Sequence, residues 1–154
     1  MRLTSIIVFF TLVICSCNSK SVFEDHKSFK NQSWSSDSSL VFKYLPIDTI
    51  SKNNLIIKVR HTVEYEFSNL FLFVNSSKND TIEIDIANKE GMFLGSGTGD
   101  VREIEFVYKK NMVFDKKESF NIEIEQAMRY GELANIKELN HILSLGLSIQ
   151  KQNE

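Results

Sequence analysis

The sequence predicts an all-β protein: a single antiparallel β-sandwich, jelly-roll or Ig-like, standing behind an export leader. Three observations carry this expectation. Apolar residues recur at every second position in five short segments of at least seven expected strands, which gives a strand one buried and one wet face. Turn-forming residues separate those segments, and helix has little room between them. After the leader there is no repeat, no linker rich in proline or glycine and no second composition regime, so one domain is expected.

The leader comes first. Met1-Arg2-Leu3-Thr4-Ser5 precedes the apolar run Ile6–Ile14, and Cys15-Ser16-Cys17 follows. A basic start, a short apolar stretch and small residues before a cut make a secretory signal over residues 1–16. The run falls short of the about 20 apolar residues that span a bilayer. Ile14-Cys15-Ser16-Cys17 fits a bacterial lipobox, so Cys17 is expected to carry lipid and to become the mature N-terminus. An ordinary exported protein with a free cysteine is the other reading. Removal of Cys15 and acylation of Cys17 leave no pair for a disulfide, so the domain must stand on packing alone. The chain holds 18 basic and 20 acidic residues, and Arg2 leaves with the signal. A mildly acidic chain argues against nucleic acid as a partner. It also places the work of membrane attachment on the lipid.

Residues 17–28 read as the lipidated cysteine and a short polar tether, with the domain over 29–154. Phe29 and Trp34, an aromatic pair in polar company, are expected to pack on the domain edge; a ligand-facing Trp34 is the alternative. Leu40–Leu45 forms a strand that Pro46, the only proline, ends. Leu55, Ile57 and Val59 alternate with Ile56, Lys58 and Arg60. Leu70–Val74 is apolar on both faces, so it is either covered twice or presents Phe71 and Phe73 to a partner. Ser76–Asp80 is a hairpin-like turn into Ile82, Ile84 and Ile86. Met92–Leu94 suits a further short strand before a glycine loop. Ile104, Phe106 and Tyr108, then Phe120, Ile122 and Ile124, then Leu143, Leu145, Leu147 and Ile149 continue the alternation. Between the last two sets, Tyr130–His141 has room for a turn or two of helix.

Several constellations invite a chemical reading. Gly95-Ser96-Gly97-Thr98-Gly99-Asp100 lacks the spacing of a nucleotide loop, no lysine follows, and a strand rather than a helix comes next. Its glycines instead suit a tight or bulged connection, with Asp100 satisfying nearby backbone N–H groups. A cation site on Asp100 lacks companion ligands. His26, His61 and His141 are far apart and show no zinc-ligand spacing. Serine, histidine and carboxylates are present without the context of a nucleophile elbow or an apposed pair, so no catalytic residue, metal or cofactor is expected. Outward Glu83, Asp85, Glu103, Glu105, Glu123 and Glu125 read as solvated faces that discourage sheet aggregation.

Strand alternation places His61 and Gln126 on inward faces. Buried polar groups must find partners or cost roughly 1–3 kcal/mol each. The two are therefore expected to be hydrogen-bonded parts of one end of the core, with Asn69 or Asp100 as further partners. A ligand pocket made of the same residues is the alternative.

Arg60-His61-Thr62 with Tyr65, Ser68–Phe73, Leu94–Asp100 and Glu125–Arg129 together resemble the gliding-motility lipoprotein GldH family of the Bacteroidetes. Phe29, Trp34, Asp48, Tyr108–Asn111, Phe114 and Gly146-Leu147 match as well, in order, over nearly all of the mature chain. The departures are Glu66-Phe67 where the family commonly has Pro and Tyr, a longer stretch from Leu133 to Ser144, and Ser144-Leu145 in place of Asp-Val. The resemblance implies a non-catalytic, envelope-anchored accessory of the gliding machinery. That machinery is tied to type IX secretion and moves adhesins along the cell surface. Other envelope proteins of the machinery are the expected partners, and no small-molecule substrate is expected. Phe71, Phe73, Arg129 and the Tyr65–Asn69 loop are the candidate contact surface. Asn18 leaves the enteric inner-membrane retention signal absent, and the expected location is the outer membrane, facing the periplasm. Asp48-Thr49-Ile50 and Asp80-Thr81-Ile82 also resemble the O-glycosylation acceptor motif of this phylum. The alternative from another class is a glycan-binding module in which Trp34 or Tyr65 stacks on sugar rings.

Overall fold

A computed structural model describes residues 21–115, 117–132 and 135–152; the signal segment expected over residues 1–16 and the expected lipid site Cys17 lie outside the described residues. The period-two segments form the strands expected of them. Ten strands are present among the described residues: β1 (Ser21–Ser28), β2 (Ser33–Ser35), β3 (Leu40–Tyr44), β4 (Asn53–Thr62), β5 (Asn69–Asn75), β6 (Asn79–Asp85), β7 (Val101–Met112), β8 (Phe120–Gln126), β9 (Glu138–Asn140) and β10 (Ile142–Lys151). All pairings are antiparallel. One four-stranded sheet runs β1-β10-β4-β7, a second runs β3-β8-β5-β6, and β2 and β9 form a small ribbon. With the ribbon set aside, the first sheet takes the first, eighth, third and sixth strands and the second takes the second, seventh, fourth and fifth. This is jelly-roll order, which resolves the choice left open by the sequence.

The inward positions of the two sheets meet in one core. Leu55, Ile57 and Val59 of β4 and Leu145, Leu147 and Ile149 of β10 face Phe42, Leu70, Leu72, Val74, Ile84, Ile122 and Ile124 of the other sheet. Their alternation with polar residues fixes the register, since a slip by one residue would turn each set to solvent.

Two expectations are corrected. The stretch Ser21–Ser28 is an edge strand rather than a tether, paired with β10 from Ser21↔Gln150 to Ser28↔Ser144. Its main-chain groups gain ladder partners that a polar side-chain sequence did not advertise. The stretch from Tyr130 to His141 contains no helix among its described residues. It instead supplies β9, which pairs with β2 through Trp34↔Leu139. The pairing wins because it closes the ribbon over Trp34, which is fully buried. Trp34 stacks on Phe29 at 4.9 Å between ring centroids, and its Nε1 donates to the Ser38 carbonyl at 3.2 Å.

The exterior of the first sheet is held by charge. Lys58 of β4 reaches Glu24 of β1 at 2.9 Å and Glu105 of β7 at 3.2 Å. Burial opposes the lysine's charge, but the hydrogen bonds to Glu24 and Glu105 outweigh it and keep the ammonium protonated. Gly146 of β10 lies beneath this bridge, opposite both Lys58 and His26. A Cβ there would stand 2.3 Å from His26 Nδ1, so the imidazole lies over bare backbone that only glycine offers.

Candidate functional site

The candidate contact residues fall at two places, the exterior of the second sheet and the Tyr65–Asn69 loop. Phe71 and Phe73 belong to β5, which lies between β8 and β6. Alternation sends Leu70, Leu72 and Val74 fully inward, and Phe71 and Phe73 to the exterior of the second sheet. Phe73 stands opposite Glu125 on one side and Thr81 on the other, and is 37 % exposed. Beyond Gln126 the chain stays beside β5, with the Ala127 N–H donating to the Phe71 carbonyl at 2.8 Å. This carries Arg129 alongside the phenylalanines. Phe71, Phe73, Thr81, Ala127 and Arg129 line one open groove of about 410 Å³. Burying an aromatic face is worth about 25 cal/mol per Å² of apolar surface, and a guanidinium beside it offers a planar fork for carboxylate or carbonyl oxygens. The groove can therefore take an apolar group flanked by a hydrogen-bond acceptor.

The Tyr65–Asn69 loop is built differently. Tyr65 is buried, and its hydroxyl donates to the Asn69 carbonyl at 3.0 Å, which closes the loop from within. Burial pushes its phenol well above the ordinary tyrosine range. The Asn69 amide donates to Glu83 on the neighbouring β6 at 2.6 Å. Tyr65 thus braces the loop. With Trp34 also enclosed, neither ring has a face for a sugar, and the basis of the glycan-stacking alternative is removed.

His61 and Gln126 are both inward and buried, as alternation requires, but they do not share a network. The Gln126 amide donates to the Ile136 carbonyl at 2.5 Å, and its Oε1 accepts from the Met128 N–H at 3.0 Å. His61 Nδ1 lies 2.9 Å from the Thr62 carbonyl oxygen. A carbonyl only accepts, so Nδ1 carries the proton. Nε2 is buried with no hydrogen-bond partner among the described residues. The ring is packed by Phe93 at 5.2 Å and Tyr65 at 5.8 Å. Burial pushes its pKa below the ordinary histidine range, and the Arg102 charge adds to this. Asn69 and Asp100 are not its partners: Asn69 bonds as above, and Asp100 is exposed and accepts the Val63 N–H through its backbone carbonyl. A local bond to Thr62 and aromatic packing take the place of the expected network.

The glycine loop forms the tight connection expected of it. Ser96 and Glu103 exchange backbone hydrogen bonds at 3.0 and 2.7 Å, laying the loop against β7. A Cβ on Gly97 would stand 1.9 Å from the Val101 carbonyl oxygen, so close backbone approach requires the glycine. Among the described residues no group of three or more His, Cys, Asp or Glu side chains is placed to hold a metal ion.

Sequence reasoning missed two features. Phe93, the inner wall of the His61 cluster, sits in a loop whose only signal was a three-residue apolar run. The 45–52 connection between β3 and β4 exposes Leu45, Ile47 and Ile50; the signal was apolar residues interleaved with Pro46, Asp48 and Ser51.

Comparison with known proteins adds three findings. The family model for the GldH lipoprotein matches residues 21–149. The protein named gliding motility lipoprotein GldH homolog from Christiangramia forsetii is 34 % identical over 155 residues, covering 96 % of this chain and 94 % of its own length. Gliding motility lipoprotein GldH from Flavobacterium johnsoniae is 31 % identical over 157 residues, covering 97 % of each chain. No solved structure matches.

Proposed function

Because this chain belongs to the GldH lipoprotein family, we propose that it is a lipid-anchored, non-catalytic component of bacterial gliding motility, linked to type IX secretion and the movement of surface adhesins. The observation that carries this reading is the extent of the likeness, which runs from β1 to β10 and spans nearly the whole length of both relatives. Cys17 is the acylation site, and the domain faces the periplasm from the outer membrane. The groove lined by Phe71, Phe73 and Arg129 is the contact for another envelope protein of the machinery. It presents packing surface and a guanidinium, which are means of holding a partner.

The test is colony spreading and single-cell movement in a deletion strain complemented with wild type, Cys17→Ala, Phe73→Ser and Arg129→Ala. Wild type restores movement and Cys17→Ala does not. Phe73→Ser and Arg129→Ala accumulate normally, since both positions are on the exterior, yet restore movement poorly. A deletion strain that glides normally refutes the functional reading. Full rescue by both groove variants refutes the contact surface alone.

A further inference from the structure

One end of the sandwich gathers the start of β1, the ends of β7 and β10 and the start of β4: Ser21 pairs with Gln150, and Asn53 pairs with Lys151 and Met112. The 45–52 loop belongs to the same end. Asp48 is joined to Lys151, and the Gln152 N–H donates to the Lys52 carbonyl at 2.9 Å. From this loop Leu45, Ile47 and Ile50 project 63 %, 87 % and 86 % exposed, with Val22 and Val113 also exposed nearby. Single exposed aliphatics are ordinary, but three on one loop tip form a cluster.

The loop is held in shape. The Asp48 carboxylate accepts the N–H groups of Ile50 and Ser51, each at 3.0 Å, and the Ser51 hydroxyl at 2.7 Å. The exposed aliphatics are therefore presented by a braced turn. Where the chain enters decides what they meet. Only Asn18, Ser19 and Lys20 separate Cys17 from Ser21. Four residue steps reach at most about 14 Å, whatever their conformation. An acylated Cys17 thus keeps this end of the domain within that distance of the bilayer. The far end lies about 30 Å away along the ten residues of β4.

We propose that the 45–52 loop is a membrane-contact element whose Leu45, Ile47 and Ile50 enter the headgroup–acyl boundary of the bilayer that holds the lipid. The proposal rests on the acylation of Cys17. The lipid supplies attachment, and the loop sets orientation, standing the strands away from the surface and leaving the Phe71–Phe73 groove clear on the side of the domain. Exposed Lys52 at the base of the loop suits the headgroup layer, where a lysine keeps its ammonium in water while its stem lies against apolar surface.

The test uses the mature lipidated protein in vesicles of phosphatidylethanolamine and phosphatidylglycerol. Ile47→Cys, Ile50→Cys and, at the far end, Met92→Cys each carry an environment-sensitive fluorophore; the acylated Cys17 sulfur does not compete for the label. Labels at 47 and 50 shift to the blue and lose about half their emission to lipids brominated high in their acyl chains, the ~5–10 Å depth that interfacial apolar groups reach. The label at 92 stays unquenched. Equal quenching at 47, 50 and 92 overturns the membrane contact and leaves the loop to a protein partner. Failure of the protein to float with vesicles at all refutes acylation, and this inference with it.

Discussion

Replacing His61 by Phe should remove an acid-sensitive weakness of the fold while leaving its stability near neutral pH almost unchanged. The wild-type imidazole is enclosed by Phe93 and Tyr65, and its Nε2 has no partner among the described residues. A second proton would charge a ring that burial, and then the Arg102 charge, disfavours as a cation. The folded-state pKa therefore lies below the unfolded value of about 6.5. For a depressed histidine the stabilising contribution is complete above the unfolded pKa. It is withdrawn as pH falls below that value, by at most about 1.4 kcal/mol per pH unit, until the folded-state pKa is reached. The whole of this loss falls below about pH 6.5, in the acid range where the unfolded imidazole takes up its proton first. In His61→Phe the bond to the Thr62 carbonyl is lost, but that carbonyl still accepts the Tyr65 N–H at 3.2 Å. One modest hydrogen bond is exchanged for relief of an orphaned nitrogen, and the two terms are of similar size, about 1 kcal/mol each. Urea unfolding at stepped pH, followed by the fluorescence of the single tryptophan, measures both proteins. The wild type should weaken across the window, and the variant should stay flatter over the same range. Identical slopes would falsify the assignment of the acid sensitivity to His61.

Trp34→Ala removes a fully buried indole, its stack on Phe29 and a hydrogen bond, and should cost about 3–5 kcal/mol by circular dichroism in urea. Trp34→Phe should cost clearly less; an equal loss would mean that stacking contributes little. Gly97→Ala should detach the glycine loop from β7 and speed exchange of the Ser96 and Glu103 amides, because its Cβ meets the Val101 carbonyl. Gly99→Ala, at φ +61° with open space around it, should cost only about 1 kcal/mol. Tyr65→Phe should lower stability by about 1 kcal/mol through loss of the bond to the Asn69 carbonyl; a neutral result in thermal melts would show the loop closed by packing alone.

Alternation was a sufficient guide wherever one face of a strand is apolar. β3, β4, β5, β6, β7, β8 and β10 all lie where Leu, Ile, Val and Phe recur every second residue. β1 was not legible because its inward positions Phe23, Asp25 and Lys27 include a single apolar residue at the margin of the core. Its stability comes from main-chain pairing and from Glu24–Lys58, neither of which leaves a periodic trace. β9 was missed because Glu138-Leu139-Asn140 is three residues long, and its pairing depends on Trp34, roughly a hundred residues earlier. Of the candidate site, the two outward phenylalanines and Arg129 do meet in one groove. Inward facing was correctly read for His61 and Gln126, but direction along a strand does not specify which neighbour a polar atom reaches. Tyr65 shows the same limit, since a tyrosine in a polar loop reads as exposed until its hydroxyl finds a carbonyl.

The pairing of β1 with β10 gives the molecule a mechanical grain. A pull on the acyl group proposed above for Cys17 enters at Ser21 and runs lengthwise along β1, so the seven register pairs with β10 resist sliding together. A pull that separates Ser21 from Lys151, which end side by side, would instead open the same pairs one after another. The domain is thus stiff toward tension between Ser21 and its far end, and soft toward peeling where β1 and β10 end side by side.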